Sequence, residues 1–283
     1  MSNQAELAAA NGAAVGTPQS QGTAAVLGRG KLRTFAKGAL LPVSLLIFWQ
    51  VFGELGYISK LLFPTPLKIA NAGYTLVVSG VLWENLQISV VRAISGFALG
   101  ASLGLALGIA VGLFRSTEKA LDPSVQMIRM VPHLAVAPLF ILWFGLGETS
   151  KVLLIAKGAF FPLYFNAFLG IRNADNKLFE VAKVLGFSRY KQIVRLIIPA
   201  ALPNILLGVR LSLGISWLGL VVAELMGSTS GIGYLMSDAR QFSKTPVVFV
   251  CIIIFALVGK LADSAVRLLE RRWLHWRDSF QGK

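Results

Sequence analysis

The sequence predicts an all-α integral membrane protein with six transmembrane helices and with its N and C termini in the cytoplasm. Of the 283 residues, 55% are hydrophobic and 14% are charged, whereas a soluble domain carries about a quarter charged residues. Six apolar stretches are each close to the roughly 20 residues that a helix needs to cross a bilayer. The net charge of +14 is better explained by basic connecting segments than by nucleic acid binding.

The predicted spans alternate with polar connectors. We place the spans at about residues 39–55, 86–114, 124–146, 152–169, 204–225 and 246–263. In the connector at residues 56–83, the tripeptide Pro64–Pro66 precedes an amphipathic run, so we expect an extracytoplasmic segment followed by a helix along the membrane surface. Residues 115–122 are predicted to form a short loop, and residues 226–245 form a connector that is too polar to cross.

The distribution of lysine and arginine orients the spans, because cytoplasmic connectors carry an excess of these residues. They concentrate before the first span, between the second and third spans, between the fourth and fifth spans, and at the C terminus. The other connectors carry Lys60, Lys68, Lys151, Arg240 and Lys244. Both termini and the segment 172–203 are therefore predicted to be cytoplasmic.

Four regions follow from these assignments. Residues 1–36 are predicted to be a disordered cytoplasmic tail, because they are rich in small and polar residues and show no apolar period. Residues 37–85 hold the first span, the extracytoplasmic connector and the interfacial helix. Residues 86–267 form the main transmembrane domain, and residues 268–283 form a basic cytoplasmic tail.

The segment Phe179–Pro203 is a long polar stretch between two spans. The spacing of its apolar residues predicts two short amphipathic helices, with Gly186 as the left-handed C-cap of the first. Ser188 is placed to cap the second helix, and Pro199 and Pro203 are expected to end it. A basic, amphipathic helix–turn–helix on the cytoplasmic side indicates a docking loop for another protein.

The second span has a glycine at every fourth residue. This spacing leaves a strip of bare backbone on one helix face, which lets another helix approach closely. We therefore predict that this face packs against a neighbouring helix. The glycines are Gly96, Gly100, Gly104, Gly108 and Gly112.

The sequence lacks the residue patterns of a membrane-embedded enzyme. It has two histidines, His133 and His275, and no C-x-x-C, H-E-x-x-H or G-x-S-x-G pattern. It also lacks a P-loop, since Gly259–Lys260 has neither the first glycine nor the following hydroxyl. We predict no catalytic residue and no metal site, and we expect the single cysteine, Cys251, to be a buried apolar residue.

The segment Glu180–Gly186, with Leu196–Pro199 after nine further residues, resembles a known motif. It is similar to the EAA loop of ABC-importer permeases, whose pattern is E-A-A-x3-G-x9-I-x-L-P. Val181, Leu196 and Ile198 depart from that pattern, and each replaces one apolar residue by another. The departures therefore keep the apolar character that the pattern requires.

Three further strings resemble the nitrate/sulfonate/taurine branch of these permeases, most closely the aliphatic sulfonate permeases. They are VPHLAVAPLFILWFG at residues 131–145, the segment 202–224, and SGIGYLM at residues 230–236. The resemblance covers about residues 39–276. It implies the fold of a type I ABC importer permease, with residues 86–267 as its ABC type-1 transmembrane domain, in the bacterial inner (cytoplasmic) membrane.

The resemblance also implies partners. Two copies of the permease would enclose the pathway, two P-loop ATPase subunits would dock beneath them, and a periplasmic substrate-binding protein would deliver the substrate. The chain itself would bind no cofactor, because the partner ATPase subunits use ATP and Mg²⁺. Membrane lipid surrounds such a protein, and no nucleic acid partner is expected.

The implied function is import of a small anionic nutrient, with aliphatic sulfonates as the first candidate. Taurine, nitrate and other small nutrients remain alternatives within the same importer class. A stand-alone secondary transporter or channel is an alternative from another class. It would explain six spans and charges within them, but it would not explain the basic, amphipathic loop at residues 172–203.

Residues of the loop are predicted to couple the permease to the ATPase through an apolar helix face and a tight turn. Glu180 either pairs with a basic residue of the ATPase or pairs with Lys177 or Lys183 of its own helix. The predicted coupling residues are Glu180, Val181, Ala182, Leu185, Gly186 and Pro199.

The substrate pathway is predicted from charges and prolines in the spans. Ionisable residues inside a membrane often serve function, and guanidinium groups bind oxyanions through two hydrogen bonds. Proline breaks are tolerated where a helix lines a cavity, although a plain packed kink remains an alternative. Arg92, Lys260 and Asp263 are expected to reach a membrane surface instead. The predicted pathway residues are Arg129, Pro132, His133, Pro138, Arg210 and Glu224.

Overall fold

The computed structural model describes residues 23–59, 61–174, 180, 182 and 184–274. Every regular element in these residues is helical, so the all-α prediction is confirmed for them. The chain divides into two compact units between Ile58 and Ser59. The helices are α1 (Thr23–Glu54), α2 (Pro66–Val78), α3 (Val81–Leu113), α4 (Arg115–Arg129), α5 (Ala137–Phe144), α6 (Glu148–Arg172), α7 (Arg189–Gln192), α8 (Ile198–Gly227), α9 (Ile232–Gln241) and α10 (Thr245–Trp273).

Helix α1 belongs to the first unit. Its C-terminal part, Leu40–Glu54, is apolar but shorter than a full span. Residues 23–36 of the predicted disordered tail are helical in the structure, as the N-terminal part of α1. A nucleated helix gains one hydrogen bond for each residue added, which explains why α1 continues through this polar stretch. Residues 1–22 of the predicted tail lie outside the described residues.

Four helical segments of the second unit are long and apolar enough to cross a membrane. They are α3, α6, the joined α7–α8 segment and α10, which correspond to the second, fourth, fifth and sixth predicted spans. Helices α4 and α5 meet this criterion only as a pair that is bent by 84°. The described residues therefore hold four spans, or five if the bent pair counts as one. The first predicted span, within α1, stays a prediction.

The third predicted span is bent because of Pro132. Proline has no amide proton and disfavours a helical backbone at the residue before it, so α4 ends at Arg129. A short 3-10 turn at Leu134–Val136 leads into α5. The predicted loop at residues 115–122 is instead the beginning of α4. Glu118 in its first turn and Arg129 in its last turn both suit the helix dipole.

The amphipathic run that begins at Pro66 forms α2, as predicted. Gly80, with a φ of 80°, makes the tight turn into α3. Helix α3 therefore begins at Val81, earlier than the predicted residue 86. Helix α10 continues to Trp273, beyond the predicted end at residue 263. The connector at residues 226–245 contains α9.

Pro199 and Pro203 lie inside a continuous helix, so the prediction that they end the second loop helix is wrong. Between α7 and α8, Ile193–Ile197 form a π turn, in which the Ile198 amide donates to the Ile193 carbonyl. This turn widens the hydrogen-bond ladder just before Pro199, which has no amide proton to donate. The loop helix and the following span are therefore mechanically joined.

Helix α6 lies between α3 and α8, and the glycines of α3 face it directly. A Cβ atom added at Gly96 would lie 2.5 Å from Ile155 Cβ, and one at Gly100 would overlap the Ala156 backbone. The two helix backbones can approach this closely because the glycines carry no side chain. The other three glycines, Gly104, Gly108 and Gly112, face Phe160, Tyr164 and Ile171.

On its other side, α6 contacts α8. The Ser212 hydroxyl donates a buried hydrogen bond of 2.7 Å to the Ala159 carbonyl. A Cβ atom added at Gly158 would lie 3.1 Å from the Ile215 carbonyl oxygen. Helix α6 is therefore the central helix of the second unit, and its neighbours on both sides are positioned against its backbone.

The packing of α3 on α6 leads to a stability prediction. Gly100→Ala should destabilise the protein by about 1–3 kcal/mol, because the added methyl group overpacks a close helix contact. Gly214→Ala is the matched control, since no heavy atom lies within 4 Å of a Cβ atom there. The measurement is the thermal unfolding midpoint of each variant purified in detergent. Equal midpoints for the two variants would contradict the prediction.

Candidate functional site

Arg92 is a buried residue at the centre of a cluster of charged and polar groups. The side chain is 3% exposed. Its Nε and Nη2 atoms each donate to Glu148 at 2.6 Å. Its Nη1 atom donates to Glu224 Oε1 at 2.9 Å and to the Ser230 carbonyl at 2.6 Å. We call Ser89, Arg92, Glu148, Glu224 and Ser230 the Arg92 cluster.

Glu224 completes this cluster from the other side. It is 1% exposed and accepts hydrogen bonds from the Ser89 hydroxyl at 2.8 Å and from the Gly233 amide at 2.8 Å. Gly233 lies in the first turn of α9, where the helix dipole favours a carboxylate. The cluster thus ties α3, α6, α8 and α9 together, and each buried charge has a partner of opposite sign.

The Arg92 cluster changes two interpretations of the sequence. The expectation that Arg92 reaches a membrane surface is wrong, because two carboxylates hold it inside the protein. Glu224, a predicted pathway residue, faces Arg92 and α9 rather than either of the two larger cavities described below. Sequence reasoning missed Ser89 and Glu148. The presence of Arg92 could have indicated such partners, because a charge in an apolar span needs a group that compensates it.

A cavity of about 480 Å³ lies between the α4–α5 break, α6 and α8. We call it the basic cavity, because its two ionised side chains are both cations, Arg129 and Lys157. None of the described residues that line it is acidic. Its other lining residues are Val131, Pro132, His133, Gly158, Phe161, Pro162, Phe165, Asn166, Leu169, Leu211 and Ile215.

The two cations of the basic cavity contact aromatic rings rather than carboxylates. The guanidinium carbon of Arg129 is 4.3 Å from the Phe165 ring centroid. Lys157 Nζ is 5.7 Å from the Phe161 ring centroid and donates to the Val131 carbonyl at 3.3 Å. No carboxylate in the described part of the chain forms an ion pair with Arg129 or Lys157. The cavity therefore carries positive charge that its own walls do not neutralise.

His133 occupies a slot between α6 and α8 that two glycines leave open. A Cβ atom added at Gly219 would lie 2.8 Å from His133 Nε2, and one at Gly158 would lie 3.3 Å from its Cε1. Nε2 is buried and has no hydrogen-bond partner among the described residues. Its tight fit between two helix backbones indicates a packing role for this ring.

The structure gathers Arg129, Pro132 and His133 around one cavity and separates them from the other predicted pathway residues. Pro138 lies in the first turn of α5 and does not line the basic cavity. Arg210 lies on a second cavity of about 540 Å³, between α3, α8 and α10. There Arg210 Nε donates to Asp263 Oδ1 at 2.7 Å.

Asp263 has a further basic partner, since Arg267 Nε donates to its Oδ2 at 2.9 Å. Arg210 therefore has a carboxylate partner within the chain, although it shares that partner, whereas the cations of the basic cavity have none among the described residues. Asp263 was expected to extend to a membrane surface, but it is held by these arginines. Lys260 is 67% exposed in the single chain and lies 3.9 Å from Asp263, and its expected position near a membrane surface stays a prediction.

Residues 184–195 form a turn and the start of a helix, as predicted. Gly186 has a φ of 66°, and the Phe187 amide donates to the Ala182 carbonyl at 2.9 Å. This is the hydrogen bond of a glycine C-cap. The Ser188 hydroxyl accepts from the Lys191 amide at 3.4 Å and so caps α7. Both capping predictions are confirmed.

This turn exposes several apolar side chains. Val184 is 88% exposed, Leu185 is 63% exposed and Tyr190 is 76% exposed. Ala182 is 1% exposed, so it faces the interior of its own chain. Val181 lies outside the described residues. A basic segment that presents large exposed apolar side chains has the character of a protein docking surface.

Residues 87–275 match the family described as binding-protein-dependent transport system inner membrane component. The chain belongs to this family. The match begins within α3 and extends past the end of α10, so it includes the Arg92 cluster, the basic cavity and the exposed turn. Together with the apolar helices, membership identifies a multi-pass membrane protein.

Two relatives are similar over nearly their whole length. The chain is 60% identical to "Putative aliphatic sulfonates transport permease protein SsuC" of Bacillus subtilis over 246 residues, which cover 87% of this chain and 89% of that protein. It is 50% identical to the Escherichia coli protein of the same name over 243 residues, which cover 86% of this chain and 92% of that protein. The resemblance to ABC permeases of this branch is therefore confirmed.

One solved structure, described as "Crystal structure of an amino acid ABC transporter with histidines", shares the fold. It aligns with this chain with a TM-score of 0.60 at 16% identity. The alignment covers 70% of this chain and 97% of that chain. The arrangement of helices around α6 is thus that of an ABC transporter permease.

The Arg92 cluster leads to a second stability prediction. Arg92→Met should destabilise the protein by about 3–5 kcal/mol, because it leaves the Glu224 carboxylate buried without a cation. Arg240→Met makes the same change at an exposed position on α9 and should cost little. The readout is the fraction of monodisperse protein after mild heating in detergent. The prediction fails if Arg92→Met retains as much folded protein as Arg240→Met.

Proposed function

We propose that this chain is the permease subunit of an ATP-driven importer that passes aliphatic sulfonates across the bacterial inner membrane. The observation that carries the proposal is the identity of 60% and 50% to two proteins named as aliphatic sulfonate permeases, over most of each chain. The uncompensated cations of the basic cavity suit an anionic substrate. Such an importer would supply the cell with sulfur.

In this proposal, the chain has six spans and cytoplasmic termini. Helix α1 contributes the first span and the bent α4–α5 pair contributes the third. Two copies of the chain enclose the pathway as a homodimer, and a periplasmic substrate-binding protein delivers the substrate. Large exposed apolar side chains in α5 and in the break before it, such as Met130, Leu134 and Leu142, provide surface for lipid or for the second copy.

The chain has no ATPase site of its own, and it binds no cofactor. Two partner ATPase subunits bind ATP and Mg²⁺ through their P-loops and dock on the segment 172–203, which acts as an EAA loop. Val184, Leu185 and Tyr190 offer the exposed apolar surface for a helix-in-groove contact. Ala182 supports the loop from inside, because it is buried in its own chain. Glu180 is exposed and available to an ATPase cation.

The position of the loop explains how docking would reach the pathway. The loop leaves α6 at Arg172 and enters α7 at Arg189. Helix α6 and the joined α7–α8 segment form two walls of the basic cavity, through Phe161 on one side and Ile215 on the other. A rigid-body displacement of the loop therefore moves both walls, and the continuous helix through Pro199 transmits it without a break.

Taurine, nitrate and other small nutrients are the alternatives within this importer class. A stand-alone transporter or channel has weaker support, because the chain belongs to a family of binding-protein-dependent systems. It would also leave the exposed apolar turn at Val184–Tyr190 without a purpose. Growth experiments can distinguish these candidate substrates.

A strain that lacks this chain should lose growth on alkanesulfonates as the sole sulfur source and should keep growth on sulfate. The reason is that alkanesulfonates are permanently charged and cross a lipid bilayer poorly without a carrier. Growth yield is measured on methanesulfonate, pentanesulfonate, taurine and sulfate, with and without a plasmid copy of the chain. Unimpaired growth on every sulfonate would remove the substrate proposal.

Docking of the ATPase is tested by Val184→Asp and Gly186→Pro. Each variant should insert normally but lose most co-purification with the ATPase and most substrate-stimulated ATP hydrolysis. The first places a charge in an apolar contact, and the second cannot adopt the φ of 66° at residue 186. Both quantities are measured on the affinity-purified complex.

Phe242→Asp is the matched control for Val184→Asp. Phe242 is also a large apolar residue, 66% exposed, but it lies in the connector after α9, on the face that we assign to the outside. This variant should keep its ATPase. Normal transport by Gly186→Pro, or equal loss of ATPase from Val184→Asp and Phe242→Asp, would contradict the docking role.

A further inference from the structure

One face of α6 presents a charge followed by apolar groups along the basic cavity. Lys157, Phe161, Phe165 and Leu169 recur at every fourth residue and all line this cavity. Side chains at this spacing lie above one another on a helix, about 6 Å apart along its axis. The stripe therefore begins with a cation and continues through two aromatic rings to an aliphatic side chain.

Arg129, the last residue of α4, places a second cation beside this stripe. Two contacts between α4 and α6 hold it there. The Tyr164 hydroxyl donates to Asp122 Oδ1 at 2.8 Å, and Arg172 forms an ion pair with Glu118. These contacts fix α4 on α6 at two points. The acidic residues of α4 are occupied there and do not line the cavity, which leaves Arg129 without a carboxylate among the described residues.

The opposite wall of the cavity is aliphatic. Leu211 and Ile215 of α8 lie four residues apart and face the stripe of α6. A volume of about 480 Å³ is within the range of sites for small ligands. The cavity thus combines two uncompensated cations with two aromatic rings and at least three aliphatic side chains.

We propose that the basic cavity is a binding site within the permease for an amphipathic organic monoanion, namely an unsubstituted alkanesulfonate. The sulfonate group pairs with Arg129 and Lys157, and the alkyl chain lies along Phe161, Leu211 and Ile215. This inference rests on the proposed function and deepens it, because it assigns substrate selection to the permease as well as to the binding protein.

The chemistry of the cavity discriminates among the candidate substrates. Taurine carries an ammonium group, which would meet two cations and no described carboxylate, so its binding should be penalised. Sulfate lacks an alkyl chain and would gain nothing from the apolar walls. A longer alkyl chain buries more apolar surface, and each buried methylene should raise affinity about fourfold until the cavity is filled.

The test measures binding directly to the purified complex of permease and ATPase, without the binding protein, so that delivery does not impose its own selectivity. The probe is radiolabelled pentanesulfonate in equilibrium dialysis. Propanesulfonate and taurine serve as a matched pair of competitors, because they have similar size and differ in the ammonium group. Methanesulfonate and sulfate test the contribution of the alkyl chain.

Four outcomes are expected together. Pentanesulfonate binds more tightly than methanesulfonate, and propanesulfonate competes at least tenfold better than taurine. Lys157→Gln and Arg129→Gln each lower the affinity about tenfold, as expected for loss of a charge-assisted hydrogen bond, whereas Lys157→Arg retains it. Lys260→Gln, which removes an exposed cation outside the basic cavity, leaves the affinity unchanged.

Other outcomes overturn the inference. Equal affinity for methanesulfonate and pentanesulfonate, or unchanged binding by Lys157→Gln and Arg129→Gln, would show that the cavity does not hold the ligand. The phosphate group of a membrane lipid is another anion that the two cations could bind. If phosphatidylglycerol binds in the cavity and no sulfonate displaces it, the cavity is a lipid site instead. Uptake by vesicles that contain the complex of permease and ATPase, supplied with ATP and with the periplasmic binding protein, separates the two proposals. Pentanesulfonate uptake that survives both cavity substitutions removes this site alone, and absence of uptake by the wild-type complex removes the proposed function.

Discussion

The close contact of α3 with α6 is the constraint on which the rest of the structure depends. Apolar burial provides little drive for helix association inside a lipid bilayer, so packing of bare backbone must hold the helices together. Gly100 and its neighbours at four-residue spacing bring the α3 backbone against Ala156. That contact fixes α6, and α6 in turn positions α8 through Ser212 and Ala159. The Arg92 cluster and the basic cavity both lie on helices that α6 holds in place.

The charged residues of the spans fall into two groups: those with carboxylate partners inside the chain and those without. Arg92 is enclosed by two carboxylates, so its cost of burial is offset inside the chain and its role is to join helices. Arg210 also has a carboxylate partner, Asp263, which it shares with Arg267 and Lys260. Arg129 and Lys157 have aromatic neighbours instead of carboxylates, and their charge is left for another molecule. Compensation within the described residues, rather than charge alone, separates structural ions from candidate binding ions.

The sequence predicts those features that depend on local pattern. The glycine repeat of α3, the left-handed turn at Gly186 and four of the spans are periodic or local, and each is present. It does not predict the partners of Arg92, because Glu148 and Glu224 lie 56 and 132 residues away along the chain. Arg129 and Arg210 look alike in sequence, and only their packing distinguishes them. Pro199 was misjudged because a π turn can absorb a proline without ending the helix.

The unequal burial of the spans has a consequence for the surrounding bilayer. In the apolar 18-residue stretch of α6, 44% of the stretch is buried within the single chain. In the corresponding stretch of α10, only 11% is buried. Helix α6 is therefore shielded by protein, whereas α10 offers most of its surface to lipid or to other chains. Where lipid covers it, a change in bilayer thickness acts first on α10, as a mismatch between its apolar length and the hydrocarbon layer. Helix α10 carries Asp263, so a change in membrane thickness that shifts α10 would act on the Arg210 ion pair.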